Sequence, residues 1–268
     1  MNDIEIGIST ASLFGLDYTE NNLKKLKELG TKTCEVFLCT FYEYTKEFAK
    51  ILQDNQGGLN VHSVHAMNTQ FEPQLFNVYS RTVFDAQKIL RDVCCVAKAL
   101  NAKYLTFHGP TSLKHVKMVY DFDFLSKRLN EVIDICLEYG VTLQYENVHW
   151  CYSANTDYFN EMFKFIPNLN TCLDIKQARQ SKIDYKEFLK VMKGHLTTVH
   201  VCDYDQNDNL KLPGHGVFNF KDLFRRLIDD GYNGPIMLEA YAKTYNSIDQ
   251  LEYAFQFLKN ELEIAKKG

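Results

Sequence analysis

Val141–Trp150, VTLQYENVHW, is the stretch whose reading decides the fold. In its first half Val141, Leu143 and Tyr145 alternate with Thr142 and Gln144, which is the two-residue period of a strand. The strand ends on an acid, Glu146, and passes into a polar turn that carries Asn147 and His149. The same grammar recurs on both sides. His65 closes NVHSVH, His108 closes YLTFHG, Asp174 closes NTCLDI, His200 closes TTVHV, and Glu239 closes IMLEA. Two earlier β-rich runs, Ile4–Ser9 and Thr33–Leu38, bring the number of expected strands to eight.

Helical stripes separate these runs. Val83, Ala86, Leu90, Val93, Ala97 and Leu100 recur at spacings of three and four, and Leu125, Leu129, Val132 and Cys136 do the same before Gly140 stops them. Shorter stripes run through Leu23, Leu26 and Leu29, through Tyr44, Phe48 and Ile51, and over Asp157–Phe165 and Asp184–Met192. Two more pass through Leu223, Phe224 and Leu227 and through Leu251, Ala254, Leu258, Leu262 and Ala265. Thr19 and Asn219 are expected to cap the helices they precede, and Ser247 with Gln250 has the form of a capping box. Strands alternating with helices at this spacing predict a closed (β/α)8 TIM barrel. An open doubly wound sheet would share the alternation, but no G-x-G-x-x-G follows the first strand. Barrels of this kind commonly run to 268 residues undivided, so residues 1–268 are expected to form one domain.

Composition narrows the function. A formal charge of −4 offers no overall attraction to a polyanion, and nucleic acid is not an expected partner. The eight cysteines include no C-x-x-C pair, and Cys34, Cys94, Cys136, Cys172 and Cys202 lie inside apolar periodic segments, where reduced buried thiols are expected. MNDIEIGIST has neither a basic nor an apolar targeting region, and no apolar run reaches the roughly 18 residues of a membrane span. A cytoplasmic protein without a membrane partner is the expectation, and a homo-oligomer is compatible with it.

In such a barrel the carboxyl ends of the strands converge on one face. Asp, Glu and His make up about one residue in six, yet they close strands three to eight without a break. Two residues earlier on these strands stand Thr106, Gln144, Cys172, Thr198 and Met237, where Leu, Ile and Val would normally fill a barrel. Acids crowded on one ring repel unless protonated or neutralised. Glu146, Asp174, His200 and Glu239 are therefore expected to bind one divalent metal ion. Carboxylates with imidazole suit manganese, zinc, cobalt or magnesium better than an ion that prefers thiolates.

The motifs YEN at 145–147, CLDIKQA at 172–178, HVCD at 200–203, LPGHGVFNF at 212–220 and MLEA at 237–240 resemble those of the xylose-isomerase-like TIM barrel superfamily. That superfamily includes sugar isomerases, epimerases, dehydratases and the endonuclease IV nucleases. The resemblance spans essentially the whole chain. It implies a metal-dependent isomerase or epimerase of a sugar, sugar phosphate or related keto-polyol, acting through a metal-stabilised enediolate. Glu146 and Glu239 would be acid and base as well as metal ligands. His65, His108, His149, Trp150, Gln177, Asp203 and His215 are expected to contact substrate. A dehydratase or lyase on the same site and a non-catalytic carbohydrate-binding barrel are the alternatives. The three-zinc nuclease pattern is incomplete: Gln177 stands where a histidine would be, and its Asp-x-His reads Asp208-Asn209-Leu210. The common G-E-G turn of the isomerases is Gly214-His215-Gly216.

Overall fold

A computed structural model describes residues 4–67, 71–112 and 120–267. Its parallel strands are β1 (Ile6–Ser9), β2 (Thr33–Leu38), β3 (Asn60–Ala66), β4 (Tyr104–Phe107), β5 (Thr142–Glu146), β6 (Asn170–Asp174) and β7 (Leu196–Val201). A two-stranded antiparallel hairpin of β8 (Asp203–Tyr204) and β9 (Leu210–Lys211) follows, and β10 (Ile236–Leu238) completes the set. The barrel closes in the order β1-β10-β7-β6-β5-β4-β3-β2, so the sequence expectation of a (β/α)8 barrel holds.

Around it lie α1 (Thr19–Glu28), α2 (Lys46–Gln56), α3 (Ser80–Ala99), α4 (Phe122–Glu138), α5 (Thr156–Phe165), α6 (Ile175–Gln180), α7 (Tyr185–Val191), α8 (Phe220–Asp229) and α9 (Ile248–Lys266). Their apolar stripes pack on the outer faces of the strands. On α8, Leu223, Phe224 and Leu227 are all fully buried. Each such side chain contributes about 1.5–3 kcal/mol relative to exposure. Among the described residues no helix is long and apolar enough to cross a membrane.

β5 shows how one strand serves both layers. Tyr145 points outward, its hydroxyl 3.0 Å from that of Tyr158 on α5, while Gln144 and Glu146 are buried on the alternate face. Inside the barrel Gln144 Oε1 accepts from Thr197 and Thr198, and its amide donates to Thr106 at 2.8 Å. Thr106 and Thr198 of the layer read from the sequence are thus joined through Gln144. His62, which no strand-end pattern singles out, joins it at 2.9 Å from Thr198 Oγ1.

Three local expectations change. Thr19 is the first residue of α1 rather than its cap: Asp17 binds the amides of Tyr18 and Asn21 side chain, and Thr19 donates instead to Glu43. At α9 the Ser247 side chain makes no cap bond, and Gln250 accepts from Asn246 N, one residue before the box position. The short helix α6 and the β8–β9 hairpin add structure where the sequence suggested loop. Asn219 caps α8 as expected, accepting from Asp222 N. Cys34, Cys94, Cys136, Cys172 and Cys202 are buried thiols. The length of the loop Ala66–Asn77 suggests a flap over the strand ends, and part of it, like His115, lies outside the described residues.

Candidate functional site

Glu146, Asp174, His200 and Glu239 stand at the carboxyl ends of four strands that neighbour one another around the barrel, β5, β6, β7 and β10. Pairing sets their heights: Asp174 is level with His200, and Met237 is level with His200, so Glu239 rises two residues further. His200 is the hub. Its Nδ1 lies 3.4 Å from Glu146 Oε1 and 3.2 Å from Glu239 Oε2, and its Nε2 lies 3.2 Å from Glu35 Oε1. Asp174 caps α6 through Oδ1, which accepts from Gln177 N at 2.9 Å, and its backbone is clamped by the Asn147 side chain. Asn147 therefore ties the end of β5 to the end of β6.

His65 and His108 adjoin this group, with Nε2 atoms 2.8 Å apart and His108 Nε2 2.9 Å from Glu146 Oε2. Gln177 Oε1 accepts from His149 N and lies 2.5 Å from His149 Nδ1, so these two expected substrate residues hold each other. Trp150 faces His108 at a ring separation of 6.0 Å. Two expected substrate contacts are otherwise engaged. Both carboxylate oxygens of Asp203 accept from backbone amides, those of Tyr204, Gly214, Gly216 and Phe218, which makes it the organiser of its loop. The His215 ring packs against Tyr253 on α9 at 5.3 Å.

Sequence reading missed three buried charges. Glu35, in the middle of β2, accepts from Ser63 and Thr106 as well as facing His200. Glu72 accepts from the amides of His108 and Gly109. Lys176 reaches Glu239 Oε1 at 3.0 Å and Asp174 Oδ2 at 3.2 Å. An acid interrupting the apolar run TCEVFL was the available signal for Glu35. Lys176 had none beyond standing two residues after Asp174.

The ionisation states reflect this crowding. Burial opposes charge on Glu146, but His108 and His200 outweigh it and hold the carboxyl well below its ordinary range. Glu35 is lowered in the same way, against burial, by His200 and His65. Asp174 is pushed up to about 6 by burial, which Lys176 only partly relieves.

The donor set fits a divalent cation. One ligand atom each from Glu146, Asp174 and His200 lie within 4.8 Å of one another, as do one each from Glu35, His65 and Glu239 and from His65, His108 and Glu146. Glu146 Oε2, Asp174 Oδ2, Glu239 Oε2 and both ring nitrogens of His200 are buried yet lack a partner with hydrogen-bond geometry among the described residues. Close approach without such geometry is what ligands directed at a shared cation display, and unpartnered buried polar atoms are otherwise costly. A cavity of about 720 Å³ lies to one side, lined by residues that include Arg179, Tyr185, Tyr204 and Asp222 and none of this ring.

The family model for xylose isomerase-like TIM barrels matches residues 23–261. The chain belongs to this family. Comparison with curated proteins finds no sequence match. Among solved structures, a D-tagatose 3-epimerase-like protein is similar at a TM-score of 0.80 and 20% identity, over 98% of this chain and 99% of that one. D-psicose 3-epimerase with D-tagatose, from Clostridium cellulolyticum H10, gives 0.76 and 15% over 98% and 99%. The 3-keto-D-glucoside 4-epimerase of E. coli gives 0.75 and 14% over 96% and 99%. At these identities the likeness establishes the shared barrel.

Proposed function

We propose that the protein is a divalent-metal-dependent isomerase or epimerase of a ketose or related keto-polyol. One observation carries the reading: Glu146 and Glu239 approach His200 Nδ1 at 3.4 and 3.2 Å, and each keeps a buried oxygen without a hydrogen-bond partner. Two carboxylates flanking one point can remove a proton from one face of a substrate carbon and return it to the other. The sugar epimerases among the structural neighbours support the same class of substrate.

Glu146, Asp174, His200 and Glu239 would hold the ion. When bound, it would polarise adjacent substrate oxygens and so ease loss of the intervening proton. His65, His108, His149 and Trp150 would orient hydroxyl groups, and Gln177, in contact with His149, would fix that ring. A nuclease of the three-zinc kind is disfavoured, because Gln177 and Leu210 stand where that pattern has histidines, and the Asp208 carboxylate is paired with Arg179.

The test is incubation of the protein with Mn²⁺ and a panel of free ketoses in D₂O. Deuterium is expected on the carbon next to the carbonyl, together with an epimeric or isomeric product. Loss of water from the substrate would move the reading to a dehydratase. Protein purified without chelators that holds no metal and is not stabilised by one would favour a non-catalytic barrel.

A further inference from the structure

Lys176 is 1% exposed, although lysine is almost never buried without partners. It stands in the first turn of α6, and its ammonium lies 3.0 Å from Glu239 Oε1, 3.2 Å from Asp174 Oδ2 and 4.7 Å from the centre of the Tyr241 ring. These two acids are also two of the four expected to hold a divalent ion. The oxygens are not equally available. Asp174 Oδ1 is committed to the amide of Gln177, so Oδ2 is the oxygen for which an ion and Lys176 compete. Glu239 divides its oxygens, Oε1 to Lys176 and Oε2 toward His200.

We propose that Lys176 is a built-in counter-ion of the candidate metal site, neutralising Asp174 and Glu239 in the metal-free protein and weakening the affinity for a divalent cation. It rests on the reading of Glu146, Asp174, His200 and Glu239 as metal ligands. Two physical effects act together. Without a cation, the ring sets the buried carboxylates of Glu35, Glu146, Asp174 and Glu239 close together, and an ammonium lowers the cost of that arrangement. With a cation, the same fixed charge repels it from a few ångströms away. The outcome is a site that stays folded when empty and exchanges its ion.

The experiment titrates chelator-treated native protein and the variants Lys176→Met, Lys176→Gln and Lys176→Arg with Mn²⁺ by calorimetry, and follows thermal unfolding with and without the ion. Lys176→Met is expected to melt below native protein when metal-free, and to bind Mn²⁺ at least about tenfold more tightly. Lys176→Arg should stay near native in both. Should the Met variant not fold alone, Lys176→Gln is read in its place, and folding of either on addition of Mn²⁺ also supports the proposal. Affinity equal to native or weaker in the neutral variants overturns it, since the ammonium would then be holding the ligands in place. Neutral variants that stay unfolded in Mn²⁺ overturn it as well. Native protein and neutral variants that all bind none of Mn²⁺, Zn²⁺, Co²⁺ or Mg²⁺ sink the metal reading and the counter-ion with it, whereas Mn²⁺ binding by a neutral variant alone upholds both.

Discussion

Glu35 Oε1 lies 3.2 Å from His200 Nε2, on the side of the imidazole opposite Glu146 and Glu239. The carboxylate is itself fixed by Ser9, Ser63 and Thr106, which sets a negative charge beside Nε2 while Nδ1 faces the acids. Partners behind a ligand of this kind set its orientation and basicity. Glu35→Gln is therefore expected to weaken Mn²⁺ binding by about 10- to 100-fold while the barrel stays folded. Calorimetric titration checks it, and undiminished affinity would mean that His200 needs no support from β2.

Glu146 and Glu239 differ from Glu35 in facing the open end of the strands with unpartnered oxygens. Glu146→Gln and Glu239→Gln should each lower solvent proton exchange into substrate by about 10²- to 10⁴-fold or more, with circular dichroism unchanged. Metal content is measured alongside, because both residues are also expected ligands. A variant that keeps its metal and full exchange activity cannot have lost an acid or base.

Much of this site was legible because strands announce their period. The alternation in VTLQYE places Gln144 and Glu146 on one face and Leu143 and Tyr145 on the other, and the structure keeps that division. What stayed hidden depends on stagger and on chain reversal. Glu35 precedes the end of β2 by three residues, yet pairs with Ser63 and meets His200 across the barrel, and no single strand reveals such a contact. Lysine is solvated by default, and Lys176 is buried against Glu239 and Tyr241, which only the folded barrel brings to it. Asp203 shows a role that its sequence position does not announce: its carboxylate accepts from the amides of Gly214 and Gly216 and so shapes its own loop. A Cβ at Gly216 would come within 2.3 Å of Asp203 Oδ1, so the glycine belongs to that embrace rather than to a ligand.

Glu72 provides a test by pH. Burial raises its carboxyl from 4.5 to about 7, against the pull of His108 and the amides of Gly109 and His108. A group protonated more readily when folded than when unfolded adds stability that is complete below pH 4.5 and lost as the pH rises through about 7. Glu72→Gln keeps an oxygen for both amides and removes the charge. It should match native stability at pH 4 and exceed it at pH 8, by on the order of 1–3 kcal/mol. Thermal melts at the two pH values decide; equal destabilisation at both would show that the amides require a carboxylate.

Gly109 links the end of β4 to the layer outside the barrel. Its φ is +76°, and a Cβ there would fall 1.8 Å from the hydroxyl oxygen of Tyr145, a ring fully buried and bonded to Tyr158. Neither partner can yield, because Tyr145 packs against Phe107 and Phe159 as well. Gly109→Ala combines left-handed strain with steric overlap and should cost about 2–4 kcal/mol. The amide of Gly109 shares Glu72 with that of His108, so a shift here also moves the His108 ring away from Glu146, and substrate affinity should fall with stability. Tyr145→Leu made together with Gly109→Ala isolates the cause. If the overlap with the phenol is responsible, the double variant will be more stable than the two single losses summed, by more than about 1 kcal/mol. Strict additivity would assign the loss to the backbone conformation of Gly109 alone.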